Sequence, residues 1–205
     1  MKKCNQYLSC ICVCALLFTG CGQVGVPDIV DVPTIAVADD GTVTSYLVGV
    51  FDKEYYDIAG LTEMVMEETE AYNARNQSTD ILPVEVEKVE ALSDGSDKVV
   101  VVQKYDSPGT FSDYTGGILF YGTVAQAQEE GYDLGTELTD AGKGETLSAE
   151  QLLTEQDRYI LITDQRVQLY CPRKVTHLSA GAALSEDGSV DASQTDGTVY
   201  VLMRK

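Results

Sequence analysis

Few residues in this chain could do covalent or metal chemistry. His177 is the one histidine, in the segment Lys174-Val175-Thr176-His177-Leu178, so a histidine-based triad or a multi-histidine metal site has no second member. Its strand-like setting, on the same face as Val175, is that of a structural or surface residue. Cys171 closes an alternating apolar run with Val167 and Leu169, the pattern of a buried thiol rather than of an activated nucleophile. There is no Gly-x-Ser-x-Gly elbow and no Ser-x-x-Lys pair. Gly142-Lys143-Gly144 lacks the upstream glycine and the hydroxyl residue of a phosphate-binding loop and reads as a turn. Carboxylates are too abundant to single out a pair at glycosidase spacing. Tryptophan is absent, and Tyr55, Tyr56, Tyr114, Tyr121 and Tyr132 are the aromatic side chains that could replace it as a stacking platform, or simply mark the edges of a core. Asp187, Asp191 and Asp196 are the candidates for a calcium site. Their spacing departs from the helix-loop-helix calcium loop, whose closing glutamate is missing, and Asp187-Gly188 and Asp196-Gly197 are equally explained by turns. No catalytic residue, cofactor or metal is therefore expected.

The cysteine with the clearest chemical context is Cys21. Lys2 and Lys3 precede an uncharged run from Leu8 to Thr19, the charged and apolar regions of an export signal. At twelve residues the run is short for a bilayer core of ~30 Å, which takes ~20 helical residues. It ends Phe18-Thr19-Gly20-Cys21, which resembles the bacterial lipobox, with Phe18 where leucine is usual. That resemblance implies cleavage before Cys21 and attachment of a diacylglycerol to its thiol. Residues 1–20 are then a removed signal peptide, 21–40 a lipidated cysteine and tether, and 41–205 one extracytoplasmic domain. Of the six cysteines, four leave with the signal and Cys21 is consumed. Only Cys171 is left, so the domain is expected to rest on its core without a disulfide.

Loss of Lys2 and Lys3 would leave 12 basic and 33 acidic residues. A surface this acidic repels phosphate backbones and anionic headgroups, so nucleic acid is excluded as a partner and the domain is expected to stand off its membrane. The charge is uneven: from residue 158 onward six basic residues face five acids, against six and 28 in residues 21–157.

These side chains need a scaffold, and the pattern implies an α+β fold: an antiparallel sheet with one long helix and several short helices, ending in a strand meander. Residues 22–40, broken by Pro27 and Pro33, read as an extended tether, apolar enough for part of it to pair with the domain. A strand follows over 42–51. Asp57 caps a helix over 58–76 whose inner face is Ile58, Leu61, Val65, Glu68 and Tyr72. Val84 and Val86 alternate with acids, but the apolar phase shifts to Val89 and Ala91, implying a bulge. Ser93-Asp94-Gly95-Ser96 turns the chain into Val99–Val102, a run to be buried on both faces. The middle, around Phe111 to Tyr121, is broken up by glycines. Thr123 with Gln126 and Ser148 with Gln151 fit capping boxes of two short helices, with a loop over 135–147 between them. Strands are expected over 159–163, 167–171, 175–178 and 198–203, the first two joined by a tight turn near Asp164 and Gln165. Residues 185–197 form a polar excursion.

Three further stretches, FDKEYYD at 51–57, LFYGTVAQAQEEGYD at 119–133 and RYILITDQRVQLY at 158–170, resemble small lipoproteins of gut clostridia. The resemblance implies a Gram-positive envelope location on the outer face of the plasma membrane and carries no activity with it. The functional expectation is a non-enzymatic binding or interaction module, its partners the membrane through the lipid and an envelope protein or polymer. A small-molecule-binding lipoprotein comes second, and an envelope hydrolase with a carboxylate site third.

Overall fold

The computed structural model describes residues 25–77 and 81–205; Cys21 and the export segment lie outside them. Of the stretch read as a tether, residues 25–33 form a strap across one sheet face, and Thr34–Val37 is a strand, β1. Apolar content explains this: Val30, Ile35 and Val37 are all buried. β2 (Val43–Val50) pairs antiparallel with β1. α1 (Ile58–Asn76) starts at Asp57, whose carboxylate accepts the amides of Ala59 and Gly60. β3 (Val84–Ala91) and β4 (Lys98–Tyr105) form the expected hairpin, its register slipping between Val86 and Lys88. Val99 to Val102 are buried throughout.

α2 (Pro108–Thr115) occupies part of the glycine-rich middle. Ser107 caps it, Pro108 fits the first helical position, and Gly116 ends it at φ 73°, so the signal was a Ser-Pro start and a left-handed glycine stop. β5 (Leu119–Thr123) leads into α3 (Val124–Glu129), where the Thr123–Gln126 box is complete. The expected 135–147 loop contains a short hairpin, β6 (Leu138–Asp140) and β7 (Thr146–Leu147), anchored by fully buried Leu138. α4 (Ala149–Leu152) carries the second capping box. The remaining strands are β8 (Tyr159–Thr163), β9 (Gln168–Tyr170), β10 (Val175–Leu178), β11 (Ala183–Leu184), β12 (Val190–Asp191) and β13 (Val199–Met203).

The fold is α+β with antiparallel pairing, but it has two sheets where one was expected. The first runs β11-β12-β9-β1-β2-β4-β3 and the second β5-β8-β13-β10-β6-β7; β1 with β9 is a parallel pair. The expected closing meander does not form. β8 takes β5 and β13 on its two edges, so β9 has no free edge there; residues 164–167 carry the chain across to the first sheet, where β9 lies between β1 and β12. The polar excursion supplies β12, because Val190 and Ala192 are fully buried.

One core lies between the sheets, built from Ile35, Val37, Val43, Leu161, Leu169, Val201 and Met203 among others. The other face of the second sheet holds Ile160, Ile162 and Leu202 against Val124, Ala127 and Leu152 of α3 and α4. A charged clasp ties the sheets at one end. Arg173 Nη2 lies 2.7 Å from Asp39 Oδ1, its Nε donates to Tyr121 Oη at 3.1 Å, and its guanidinium sits 4.0 Å over the Tyr159 ring.

α1 docks differently from expectation. Its buried residues are Val65, Thr69 and Asn73, and Glu68 is exposed. The Asn73 amide donates to Val84 O at 2.7 Å and accepts Val84 N–H at 3.0 Å, supplying the bonds a neighbouring strand would give. Asn73→Ala strands both backbone groups in a buried setting and should cost roughly 2–4 kcal/mol. Urea denaturation measures this, with exposed Asn76→Ala as the control that changes little; equal midpoints for the two variants would mean that apolar packing docks the helix.

Candidate binding groove

Because polar groups hold the carboxy-terminal half of α1, its amino-terminal half stands away from the sheet. Between them runs an open groove of about 560 Å³. Leu47 and Gly49 of β2 lie opposite Val101 and Val99 of β4, and all four line it. Leu61, Met64, Val65 and Glu68 of α1 form one wall, Phe51 and Tyr56 one end, and Gln103 and Tyr114 the other polar limit. Phe51 and Tyr56 stack at 4.6 Å, with Tyr55 edge-on to Tyr56 at 5.0 Å.

The apolar residues here are unusually open to solvent: Leu47 is 52 % exposed, Val50 62 %, Met64 58 % and Tyr55 78 %. The volume is in the range of small-molecule and peptide sites, and the exposed apolar side chains are contiguous rather than scattered singly. Gly49 contributes space: a Cβ there would meet nothing within 4 Å.

At the polar limit, Gln103 Nε2 donates to Thr69 Oγ1 and Tyr114 Oη, each at 3.2 Å, and its Oε1 accepts from Tyr105 Oη at 3.2 Å. Burial pushes the Tyr105 phenol far up. Tyr72 donates to Asp113 at 2.8 Å, and burial, then that carboxylate, raises its pKa to about 12. These phenols remain protonated donors at neutral pH, and among the described residues no buried side-chain polar atom is left without a partner.

The residues singled out from sequence do not gather here, with three exceptions. Tyr56 and Tyr114 line the groove and Tyr55 borders it. Tyr121 belongs to the Arg173 clasp, and Tyr132 packs on Phe120. Cys171 is buried, its thiol pushed up to about 12 by desolvation. Asp187 accepts from the Ser189 backbone and from Tyr170 Oη at 3.0 Å, Asp191 accepts from Ser193 N, and Asp196 pairs with Arg166. Each thus serves its own turn or ion pair, and no three His, Cys, Asp or Glu side chains converge on a metal position among the described residues. Leu47, Gly49, Val50, Met64 and Glu68 were missed as a site. The signal available was a strand and a helix each carrying more apolar residues than one buried face can use.

His177 lies opposite Asp140 and Leu202, its Nδ1 3.1 Å from Thr176 Oγ1. Burial first, then Arg158, lowers its pKa, against opposing pulls from Asp140, Glu155 and Glu145. No helix among the described residues is long and apolar enough to cross a membrane. Comparison with protein-family models, curated proteins and solved structures returns no match for the chain.

The lowered pKa gives a signed pH effect. The fold favours neutral His177, so its contribution is complete above the ordinary value of 6.5 and is lost as pH falls from there toward the folded value. Between pH 7.5 and 5.5 the urea midpoint of the native chain should drop relative to that of His177→Gln. Parallel pH profiles for the two would rule the effect out.

Proposed function

We propose that this chain is a lipid-anchored binding module of the cell envelope, attached through Cys21, which holds an apolar, positively charged segment of another envelope protein in the groove beside α1. The carrying observation is an uncovered apolar trough in a chain of net charge −19. Charge selects the partner. Residues 51–77 carry Asp52, Glu54, Asp57, Glu63, Glu67, Glu68 and Glu70 against Lys53 and Arg75, and Lys53 is already paired with Asp52. An apolar segment flanked by lysine or arginine gains apolar burial from the groove and steering from this rim.

The trough is open along its length, which suits an extended segment better than a small enclosed solute. A carboxylate hydrolase is disfavoured because a general acid needs a raised pKa. The displaced aspartates all move downward: Asp40 and Asp140 through backbone N–H groups of Thr42 and Lys143, Asp94, Asp187 and Asp191 through the serine two residues on, and Asp157 through Lys205.

Gly49→Leu fills the groove without changing charge. Binding of a fluorescent Leu/Lys amphipathic peptide, read by anisotropy, should exceed that of its Leu/Glu counterpart by at least tenfold, weaken with salt, and fall about tenfold in Gly49→Leu. Equal binding by both peptides, or indifference to Gly49→Leu, would sink the groove reading. A photo-cross-linker at Tyr55 on living cells should capture a partner that Gly49→Leu loses. Cys21→Ala should release the chain from the membrane fraction, and retention would sink the anchor.

A further inference from the structure

We infer that the end of the domain where the strap begins is a second contact surface, one that lies against anionic lipid headgroups and so turns the groove outward. The inference depends on lipid attachment at Cys21, as proposed above. Three residues lie between Cys21 and Gly25, and the four steps from one to the other span at most ~14 Å even fully extended. Gly25 and Val26 share a shallow cavity with Ala36, Val37, Thr44 and Tyr170, at the close of β1 and the opening of β2. The bilayer must therefore lie near this end.

The same end gathers the basic side chains of an otherwise acidic chain. Arg173 is clasped to Asp39 directly after β1. Lys174 follows it, and Arg204 N donates to Lys174 O at 3.0 Å. Arg158 Nε donates to Met203 O at 3.1 Å, and Lys205 pairs with Asp157. Five of the six basic residues from 158 onward are thus together. Asp39, Glu155 and Asp157 are their ion-pair partners; Asp40 and Asp106 lie at the same end of the first sheet, and Asp140 and Glu145 act on His177 beside Arg158. Lys174 and Arg204 are exposed and have no ion-pair partner among the described residues. Screening acts over ~10 Å at ordinary salt, so a tether this short keeps the patch within range of the headgroups. The general repulsion expected from net charge is therefore weakest at this end, where Lys174 and Arg204 are left to face the headgroups. The groove opens at the far end of β2, seven residues and roughly 23 Å along the strand from Val43, beside the acidic 51–77 segment.

Lysine acylation on vesicles tests this. The lipidated chain is inserted into neutral phosphatidylcholine vesicles and into vesicles with one third phosphatidylglycerol, flotation confirms attachment in both, and each lysine is quantified by mass spectrometry after a membrane-impermeant acylating reagent. Labelling of Lys174 and Lys205 should fall at least threefold on the anionic vesicles, with Lys53 and Lys88 unchanged. High salt, or the Arg204→Glu substitution, should restore Lys174 labelling. Equal labelling on the two vesicle types, or protection at Lys53 and Lys88 instead, would overturn the membrane-facing surface while leaving the anchor intact. A lipidation-competent chain that fails to float on either would overturn the anchor, and this surface with it.

Discussion

α1 is fastened to its sheet through buried hydrogen bonds at Asn73 and Thr69 as well as through Val65, and the groove beside it depends on where those bonds fall. Asn73 completes the outer edge of β3 at Val84, and Thr69 enters the Gln103–Tyr114 cluster. These contacts fix the helix rotation so that Val65 points inward while Met64 and Glu68 border open space. A helix docked on a leucine stripe would have drawn its whole length onto the sheet and closed the gap over Leu47 and Val101. Buried polar networks are costly when incomplete, and this one is complete, so it can hold a helix at one end and leave the other end raised.

The two-sheet arrangement puts the stable mass of the domain elsewhere. Ile35, Leu161, Leu169 and Val201 fill the space between sheets, and a second apolar layer under α3 and α4 seals the far face. Cys171 is a buried free thiol, and no disulfide joins the described residues; the apolar core and the hydrogen bonds described above hold them. The apolar surface left uncovered near Tyr55 and Tyr56 is therefore a local feature on a well-filled scaffold. The unequal distribution of charge along the sequence becomes spatial in the fold, with acids around the groove and basic residues near the strap's beginning.

Much of the local structure was legible because it rests on short-range chemistry. The Asp57 cap, both capping boxes, the bulge after Val86 and the double burial of Val99 to Val102 each follow from neighbouring residues. The Ser107-Pro108 start of α2 is equally local, although Gly109, Gly116 and Gly117 around it break up the apolar pattern. Long-range facts were not readable. Nothing local tells β9 to leave β8 for β1, since that depends on which edges other strands have already filled. The rotation of α1 was not readable because Ile58, Leu61, Val65 and Tyr72 define an apolar stripe that passes through Glu68 and leaves out Asn73, whose value lies in a backbone group eleven residues away. The groove is a failure of burial at Leu47, Val50 and Met64, and the sequence shows only that these residues are apolar.

The strap over residues 25–33 has a mechanical consequence. It runs opposite to β1 and is held by buried Val30, by Lys98, which donates to the Asp31 carbonyl at 2.8 Å and pairs with its carboxylate, and at its close by Gln168 N–H donating to Pro33 O at 2.9 Å. β1 itself is paired on both edges, with β2 and β9. Tension applied on the amino-terminal side of Gly25 would peel the strap one contact at a time before any load reached β1. The strap is thus a slack length that can pay out several residues under force, lengthening the connection while the paired strands stay whole.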